Sequence, residues 1–398
     1  MPSAFGSDRL ERPVVAGFGA TAIGHHPGRP STDLGFEALE AALADAGLAA
    51  HELDGVFLVS EGYVRGRPPL RGQRVAERMG VELGALVEVE CGGASSLLAF
   101  KAACQEVALG RCRAVAVVGA QAERHLLEEG MDAGDLDHVL QVNAMYAPYL
   151  APLGLAAPMP CYALAAQRYM HDHGIEAAAV AEVAVVLRSN AAANPRAELR
   201  DELTVDEVLA SRVVCPPIHK LEAAPWSDGA AAVVVVRESK ARAGAALTGW
   251  GERHDAANFL PFGRDLTMYP WIGAATDEAL ARAGRSREDL DVLEVYGAFA
   301  PAELMTYEAM GLFAPGEAPA AVSRGETGLE GRVPINPSGG RLSLGHPPQA
   351  TPLLELGEIL DQLRGRAGER QVPGATVGLV QAEHGMMNGA AVAVVEAA

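Results

Sequence analysis

A chain of 398 residues, 49% hydrophobic and holding 44 glycines, can bury one large core or two joined ones, which excludes disorder. A formal charge of -19 and a pI near 5.0, with no basic stripe, exclude a duplex nucleic-acid binder, because phosphate contacts need clustered Lys and Arg. No apolar run approaches the roughly 18 residues of a membrane span, and Met1 to Arg12 hold no secretory apolar segment, so a cytoplasmic protein is expected.

Pro13 to Gly19 reads as a short buried strand. Phe36 to Gly47 shows helical spacing closed by glycine, and Leu53 to Val59 is a turn into a second strand. Val87 to Glu90 is a strand, Ala94 to Leu109 a helix stopped by Gly110, and Ala114 to Gly119 another strand, which predicts α/β architecture with a mostly parallel sheet. From about 122 to 174 the rhythm breaks, with Tyr146-Ala147-Pro148-Tyr149 inside, and the stretch reads as an excursion over one face of the core. Helical periodicity runs from Cys161 through Arg188. Ser227-Asp228-Gly229 turns into the buried strand Ala230 to Val236, and a hinge is expected at Glu238 to Ala243, dividing halves 1–240 and 244–398. An internal repeat supports that division. Ala42-Leu43-Ala44-Asp45-Ala46-Gly47 and Glu52-Leu53-Asp54 match Ala279-Leu280-Ala281-Arg282-Ala283-Gly284 and Asp289-Leu290-Asp291 at one constant offset.

Asn336-Pro337-Ser338-Gly339-Gly340-Arg341-Leu342-Ser343-Leu344-Gly345-His346-Pro347-Pro348 leads into a helix from Ala350 to Leu363. Gly340 and Gly345 allow close backbone approach to a ligand, and the His-Pro step sets an imidazole at the positive mouth of a helix, where a developing oxyanion could be held. Duplicated halves would bring their helix mouths to a common centre, so Cys91 and His346 are expected to face one pocket. The five cysteines (Cys91, Cys104, Cys112, Cys161, Cys215) are odd in number and lack C-x-x-C spacing, so neither a disulfide framework nor a metal site is expected. His171-Asp172-His173 and His25-His26-Pro27 read as solvated helix and loop.

The Gly-Gly to Gly-His-Pro segment, Tyr169-Met170-His171 through Gly174, the turn Asn190 to Pro195, Trp226-Ser227-Asp228-Gly229-Ala230-Ala231 and Tyr296-Gly297-Ala298-Phe299-Ala300, in that family's order, resemble thiolases. Within that superfamily the chain is most similar to the sterol-carrier-protein type and its lipid-transfer-protein relatives. The resemblance implies the five-layer αβαβα thiolase fold built from two duplicated halves, a homodimer, and chemistry on acyl-CoA. Coenzyme A would then be part of the substrate, with no tightly bound cofactor.

Thiolase chemistry needs a nucleophilic thiolate at a helix N-terminus, a second base, a His and an oxyanion hole. Counted back from Gly110, Cys91 sits two residues before the family's nucleophile, and Gly93 is the better match. Two extended residues span roughly 7 Å, enough to take sulfur out of attack range. Tyr296-Gly297 stands where relatives carry Asn-Glu or His-Asp. This resembles the steroid side-chain aldolases, thiolase relatives that lost the cysteine and cleave 3-hydroxyacyl thioesters by a retro-aldol reaction. In Gln381-Ala382-Glu383-His384-Gly385, either Glu383 or His384 is the candidate base, with Gly93 and Gly385 as backbone contacts to substrate. The expected activity is retro-aldol cleavage through Tyr296 and His346. Thiolysis through Cys91 and a non-catalytic lipid carrier or scaffold subunit are the alternatives. The resemblance also suggests a partner with a zinc ribbon and an OB-fold.

Overall fold

The computed structural model describes residues 11–59, 71–124, 157–241, 243–255, 265–267, 269–385 and 388–398. Tyr146 to Tyr149 of the expected excursion lie outside the described residues, as do Met386 and Met387 beside the candidate base.

Nine strands form one hydrogen-bonded sheet. The first half supplies β1 (Pro13–Ala20), β2 (Gly55–Val59), β3 (Ala85–Val89), β4 (Ala114–Gln121) and β5 (Gly229–Arg237), in the spatial order β3-β2-β4-β5-β1. The second half continues it with β6 (Ala245–His254), β7 (Val292–Val295), β8 (Val377–Glu383) and β9 (Gly389–Ala397), in the order β6-β9-β8-β7. Within the sheet, among the described residues, the two halves are joined where Val14 and Val15 of β1 pair with Ala246 and Ala245 of β6. Every residue of β4 is buried, as a strand covered by helices on both faces must be.

The sheet is mixed, which corrects the expectation of a mostly parallel one. Pairs β2–β3, β2–β4 and β7–β8 are parallel, whereas β4–β5, β1–β5, β1–β6, β6–β9 and β8–β9 are antiparallel. Apolar runs report burial on two faces and carry no information on strand direction.

Helices α1 (Ser31–Ala46), α2 (Arg71–Met79), α3 (Ser95–Ala108), α4 (Pro158–His173), α5 (Ala177–Ala192), α6 (Pro270–Ala283), α7 (Ala300–Ala309), α8 (Gly340–Leu344) and α9 (Thr351–Leu363) complete the part of the fold that positions the site. α1 covers the outer face of the first half, burying Leu34, Leu39 and Leu43 against Val56, Leu58 and Val234. α3 and α9 pack together between the halves, where Leu97, Phe100, Leu353 and Leu356 share a core with Val115, Val233, Val380 and Ala393. α6 lies on the outer face of the second half, with Ile272 and Leu280 in a third core that includes Leu293 and Leu379. The layer order is therefore αβαβα.

The duplication extends to local geometry. Gly47 ends α1 at φ 67° and Gly284 ends α6 at φ 66°, both left-handed and so suited to glycine. Each is followed by a short 3-10 turn, Ala50–Glu52 and Arg287–Asp289, and then by β2 or β7. Where single-chain periodicity predicted one helix from Cys161 through Arg188, Gly174 at φ 63° splits it into α4 and α5. α4 also occupies the last part of the stretch read as an irregular excursion. α2 was not predicted, because its arginines and glutamate hide any apolar period. Among the described residues, no helix is long and apolar enough to cross a membrane.

Candidate active site

Tyr296 follows β7 and is held from both sides. Its N–H donates to Gln381 Oε1 at 2.9 Å, and the Val295 N–H donates to Asn336 Oδ1 at 2.7 Å. Asn336 sits at φ 52°, and its Nδ2 lies 3.1 Å from both oxygens of the buried Glu303. The Asn190 and Asn194 side chains donate to Asn336 O at 3.1 Å and Ser338 O at 2.8 Å, so two motifs far apart in sequence lock into one loop. Gly340 and Gly345 shape that loop, at φ 55° beside Leu187 and φ 106° beside Ile23.

The loop delivers Arg341, whose side chain is 0% exposed. Its Nε and Nη2 donate to Glu355 at 2.9 and 3.2 Å, and its guanidinium carbon lies 3.2 Å from the centroid of the Tyr296 ring. Burial raises the Tyr296 pKa above the ordinary phenol value, and the Arg341 charge opposes that rise only in part. Tyr296 is a protonated donor at neutral pH.

The His346 ring meets Tyr296 edge-on, with centroids 6.0 Å apart at 83°. Its backbone N–H donates to Ser227 Oγ at 3.0 Å, and that hydroxyl donates to Glu198 at 2.5 Å. His346 Nδ1 lies 3.1 Å from Oγ1 of Thr351, the first residue of α9. Thr351 Oγ1 in turn lies 2.8 Å from Pro347 O, which can only accept. The one hydroxyl proton is therefore spent on Pro347, so Nδ1 carries the imidazole proton and Nε2 is left as a bare acceptor. Burial, reinforced by the Arg341 charge, pushes the His346 pKa well below its usual value and keeps the ring neutral.

Gly93 and Gly385 flank the phenol. A Cβ on Gly93 would lie 2.6 Å from Tyr296 Cε2 and 2.7 Å from its Oη, and one on Gly385 would lie 3.3 Å from that Oη. Both spend their amides on the protein, Gly93 N–H on His384 O at 2.9 Å and Gly385 N–H on Glu383 Oε2 at 2.8 Å. Gly340 N–H likewise donates to Ser338 Oγ at 3.1 Å. These three glycines therefore provide close approach for neighbouring groups, and their N–H groups are not oxyanion donors.

Cys91 has a different set of neighbours from the expected His346. Its N–H donates to Ser95 Oγ at 2.7 Å, and its sulfur lies 3.5 Å from His384 Nε2. His384 Nε2 is 3.0 Å from His254 Nδ1, whose Nε2 is 2.7 Å from Glu252 Oε1. Lys101 Nζ at 2.5 Å and Trp250 Nε1 at 3.1 Å fix the other Glu252 oxygen. Burial and the neighbouring His254 push the His384 pKa down to about 4, while burial and Glu252 push the Cys91 thiol up. Glu383 faces another way. It borders a small cavity with Tyr162, Tyr269, Trp271 and Tyr296, in which Tyr162 Oη and Trp271 Nε1 are buried with no hydrogen-bond partner among the described residues. The two neighbours between which the sequence could not choose thus have different surroundings.

Sequence reasoning missed Arg341, Glu355, Thr351, Glu252 and His254. Two signals were available. A charged residue directly after paired glycines in an apolar stretch is anomalous unless buried with a partner. Trp250, Glu252 and His254 also alternate along one face of a strand.

The thiolase N-terminal domain model matches residues 14–239 and the thiolase C-terminal domain-like model matches residues 251–397. The chain is 30% identical to an acetyl-CoA acetyltransferase of Methanothermobacter thermautotrophicus, over 92% of this chain and 94% of that protein. It is 31% identical to a steroid side-chain-cleaving aldolase of Thermomonospora curvata, over 83% of this chain and 85% of that one. Among solved structures it is similar to an Ltp2-ChsH2(DUF35) aldolase, with 28% identity, a TM-score of 0.84, and coverage of 98% of this chain and 99% of that one. With both halves matched in order and the αβαβα architecture in place, this chain belongs to the thiolase family.

Proposed function

We propose that this protein cleaves 3-hydroxyacyl thioesters of coenzyme A by a retro-aldol reaction. The observation that carries the reading is the Tyr296 phenol lying where a side chain on Gly93 would have to be, beside a His346 whose Nε2 is free to accept a proton. In this reading His346 Nε2 takes the β-hydroxyl proton. The Cα–Cβ bond breaks as the Cβ–O bond becomes a carbonyl, and the electron pair passes to Cα as a thioester enolate. Tyr296 donates a hydrogen bond to the enolate, and Cα is then reprotonated, giving a ketone or aldehyde plus a shortened acyl-CoA. Glu383, bordering the same cavity as Tyr296, is the second acid-base group in this proposal. Coenzyme A enters as part of the substrate, and no further cofactor is required. The similarity to the Ltp2-ChsH2(DUF35) aldolase supports a partner protein of the DUF35 kind in this proposal, and a homodimer is proposed with it.

One contact favours a second reading. Cys91 Sγ lies 3.5 Å from His384 Nε2, a Cys–His pair of the sort that serves thiolysis. The two readings need different co-substrates. A 3-hydroxyacyl-CoA with a tertiary β-hydroxyl cannot be oxidised to the 3-oxo compound, so its cleavage to ketone and acyl-CoA without added coenzyme A would be retro-aldol. Activity confined to 3-oxoacyl-CoA plus free coenzyme A, with an acyl adduct on Cys91 by mass spectrometry, would establish thiolysis instead. Tyr296→Phe is expected to lose about 10²- to 10⁴-fold in turnover. Unchanged turnover in Tyr296→Phe and His346→Ala would overturn the retro-aldol reading, and absence of turnover on either substrate by the parent protein or its complex would return the carrier reading.

A further inference from the structure

Three donor atoms from distant parts of the chain converge beside the Tyr296 site, and the reaction proposed above uses none of them. Cys91 Sγ comes from the turn before α3, His254 Nδ1 from the end of β6, and His384 Nε2 from the end of β8. All three lie within 4.8 Å of one another. We propose that Cys91, His254 and His384 form a binding site for a divalent cation of the zinc class.

The donor set is one that zinc takes, a thiolate and two imidazoles, and a water or ligand would complete its four-coordinate shell. The spacing fits as well. Tetrahedral zinc, with bonds of about 2.3 Å to sulfur and about 2.0–2.1 Å to nitrogen, sets S···N near ~3.6 Å and N···N near ~3.4 Å. The observed separations are 3.5 Å from Cys91 Sγ to His384 Nε2 and 3.0 Å from His384 Nε2 to His254 Nδ1, and the third pair, Cys91 Sγ and His254 Nδ1, lies within 4.8 Å and would close to about 3.6 Å around the ion. The two rings stack at 4.8 Å, so they reach this point together.

The surroundings prepare one of these donors. Glu252 can only accept when ionised, so His254 Nε2 at 2.7 Å carries the ring proton and Nδ1 is left with its lone pair toward the cluster. Lys101 and Trp250 hold Glu252 in place. A carboxylate behind a metal-bound histidine fixes its tautomer and raises its basicity. A cation here would tie the turn carrying Gly92 and Gly93 to the ends of β6 and β8, stiffening the wall against which the Tyr296 phenol rests. Spacing along the sequence gave no hint of this, because the donors come from three separate segments.

The test uses the full chain, freed of any affinity tag and treated with a chelator, then titrated with zinc and separately with cobalt(II). One equivalent of either metal should bind. The cobalt form should show a thiolate-to-metal charge-transfer band in the near ultraviolet together with tetrahedral d–d bands. Cys91→Ser should abolish the charge-transfer band. His254→Ala, at an exposed strand end where the core is spared, should weaken zinc binding at least ~100-fold, and Glu252→Gln about 10- to 100-fold. Circular dichroism identical to that of the parent chain establishes that these variants are folded. Zinc uptake no greater than that of Cys91→Ser, or equal uptake in the parent and His254→Ala, would overturn the proposal and leave a hydrogen-bonded chain only. Tyr296→Phe should bind zinc as the parent does, so failure of the proposed reaction and failure of this site are separately visible.

Discussion

The phenol of Tyr296 fills the space that any side chain on Gly93 would need. A Cβ on Gly93 would stand 2.7 Å from the Tyr296 oxygen, closer than unbonded atoms come. Tyrosine at 296 and glycine at 93 are therefore one feature, since a side chain at 93 requires the phenol to move.

Gly93→Ala is therefore expected to displace the phenol. The added methyl should lower kcat/KM by about 100-fold or more, since a misplacement of about 1 Å at the reacting centre has that effect. The loss of stability should be about 1–3 kcal/mol, typical of overpacking. Steady-state kinetics beside thermal unfolding will separate the two, and an active Gly93→Ala enzyme would show that the phenol takes no part.

Thr351 acts on the reaction only through His346. Thr351→Val keeps the shape and removes the acceptor for the His346 Nδ1 proton, letting the ring adopt the tautomer with Nε2 protonated. Turnover should fall about 10- to 100-fold with KM unchanged, and Thr351→Ser should restore it. A serine variant as slow as the valine one would mean that packing, not the hydroxyl, matters here.

The pH dependence follows from two opposite shifts. Burial and Arg341 hold the His346 pKa well below its ordinary 6.5, so the base is neutral across the physiological range, and the acid limb of kcat/KM should lie well under pH 6.5. Burial raises Tyr296 above its ordinary 10.0, so the alkaline limb from this group should lie above pH 10. For stability the sign is definite. Between the folded and unfolded His346 pKa values the unfolded chain binds more protons, so this contribution is complete above about 6.5 and is lost as pH falls below it. A kcat/KM profile that rises through pH 6.5 and loses that limb in His346→Asn would place the His346 pKa at its ordinary value.

Arg341 and Glu355 form a fully buried ion pair under the Tyr296 ring. Arg341→Met leaves a buried carboxylate uncompensated and should cost about 3–5 kcal/mol of stability. Adding Glu355→Leu should recover most of that loss, because a buried pair replaced by apolar groups is often neutral or stabilising. Activity should not recover with it, since the platform beneath the phenol is gone. Denaturant unfolding and turnover measured on the same two variants test both halves of this statement.

Legibility differed between backbone and site. The positions of β1, β2, β4, β5, α1, α3 and α9 could be read from apolar runs, helical spacing and glycine stops, since these report burial and local backbone preference along consecutive residues. The repeat of Ala42–Gly47 at Ala279–Gly284 revealed the duplication, and the structure adds the matching 3-10 turns. Strand direction could not be read in this way, nor could the break at Gly174, because a glycine inside a helical period costs little enough to be tolerated.

The amino-acid sequence alone determined that this is an acidic, duplicated α/β chain, with Tyr296 at a strand end and His346 at a helix mouth. Those are properties of neighbours in the chain, set by local period and turn chemistry. Only the tertiary structure decided that Arg341 lies against the Tyr296 ring, that Thr351 fixes the His346 tautomer, and that Cys91 faces His254 and His384. Such contacts join residues far apart in sequence, and the packing of three helix layers and two half-sheets brings them together.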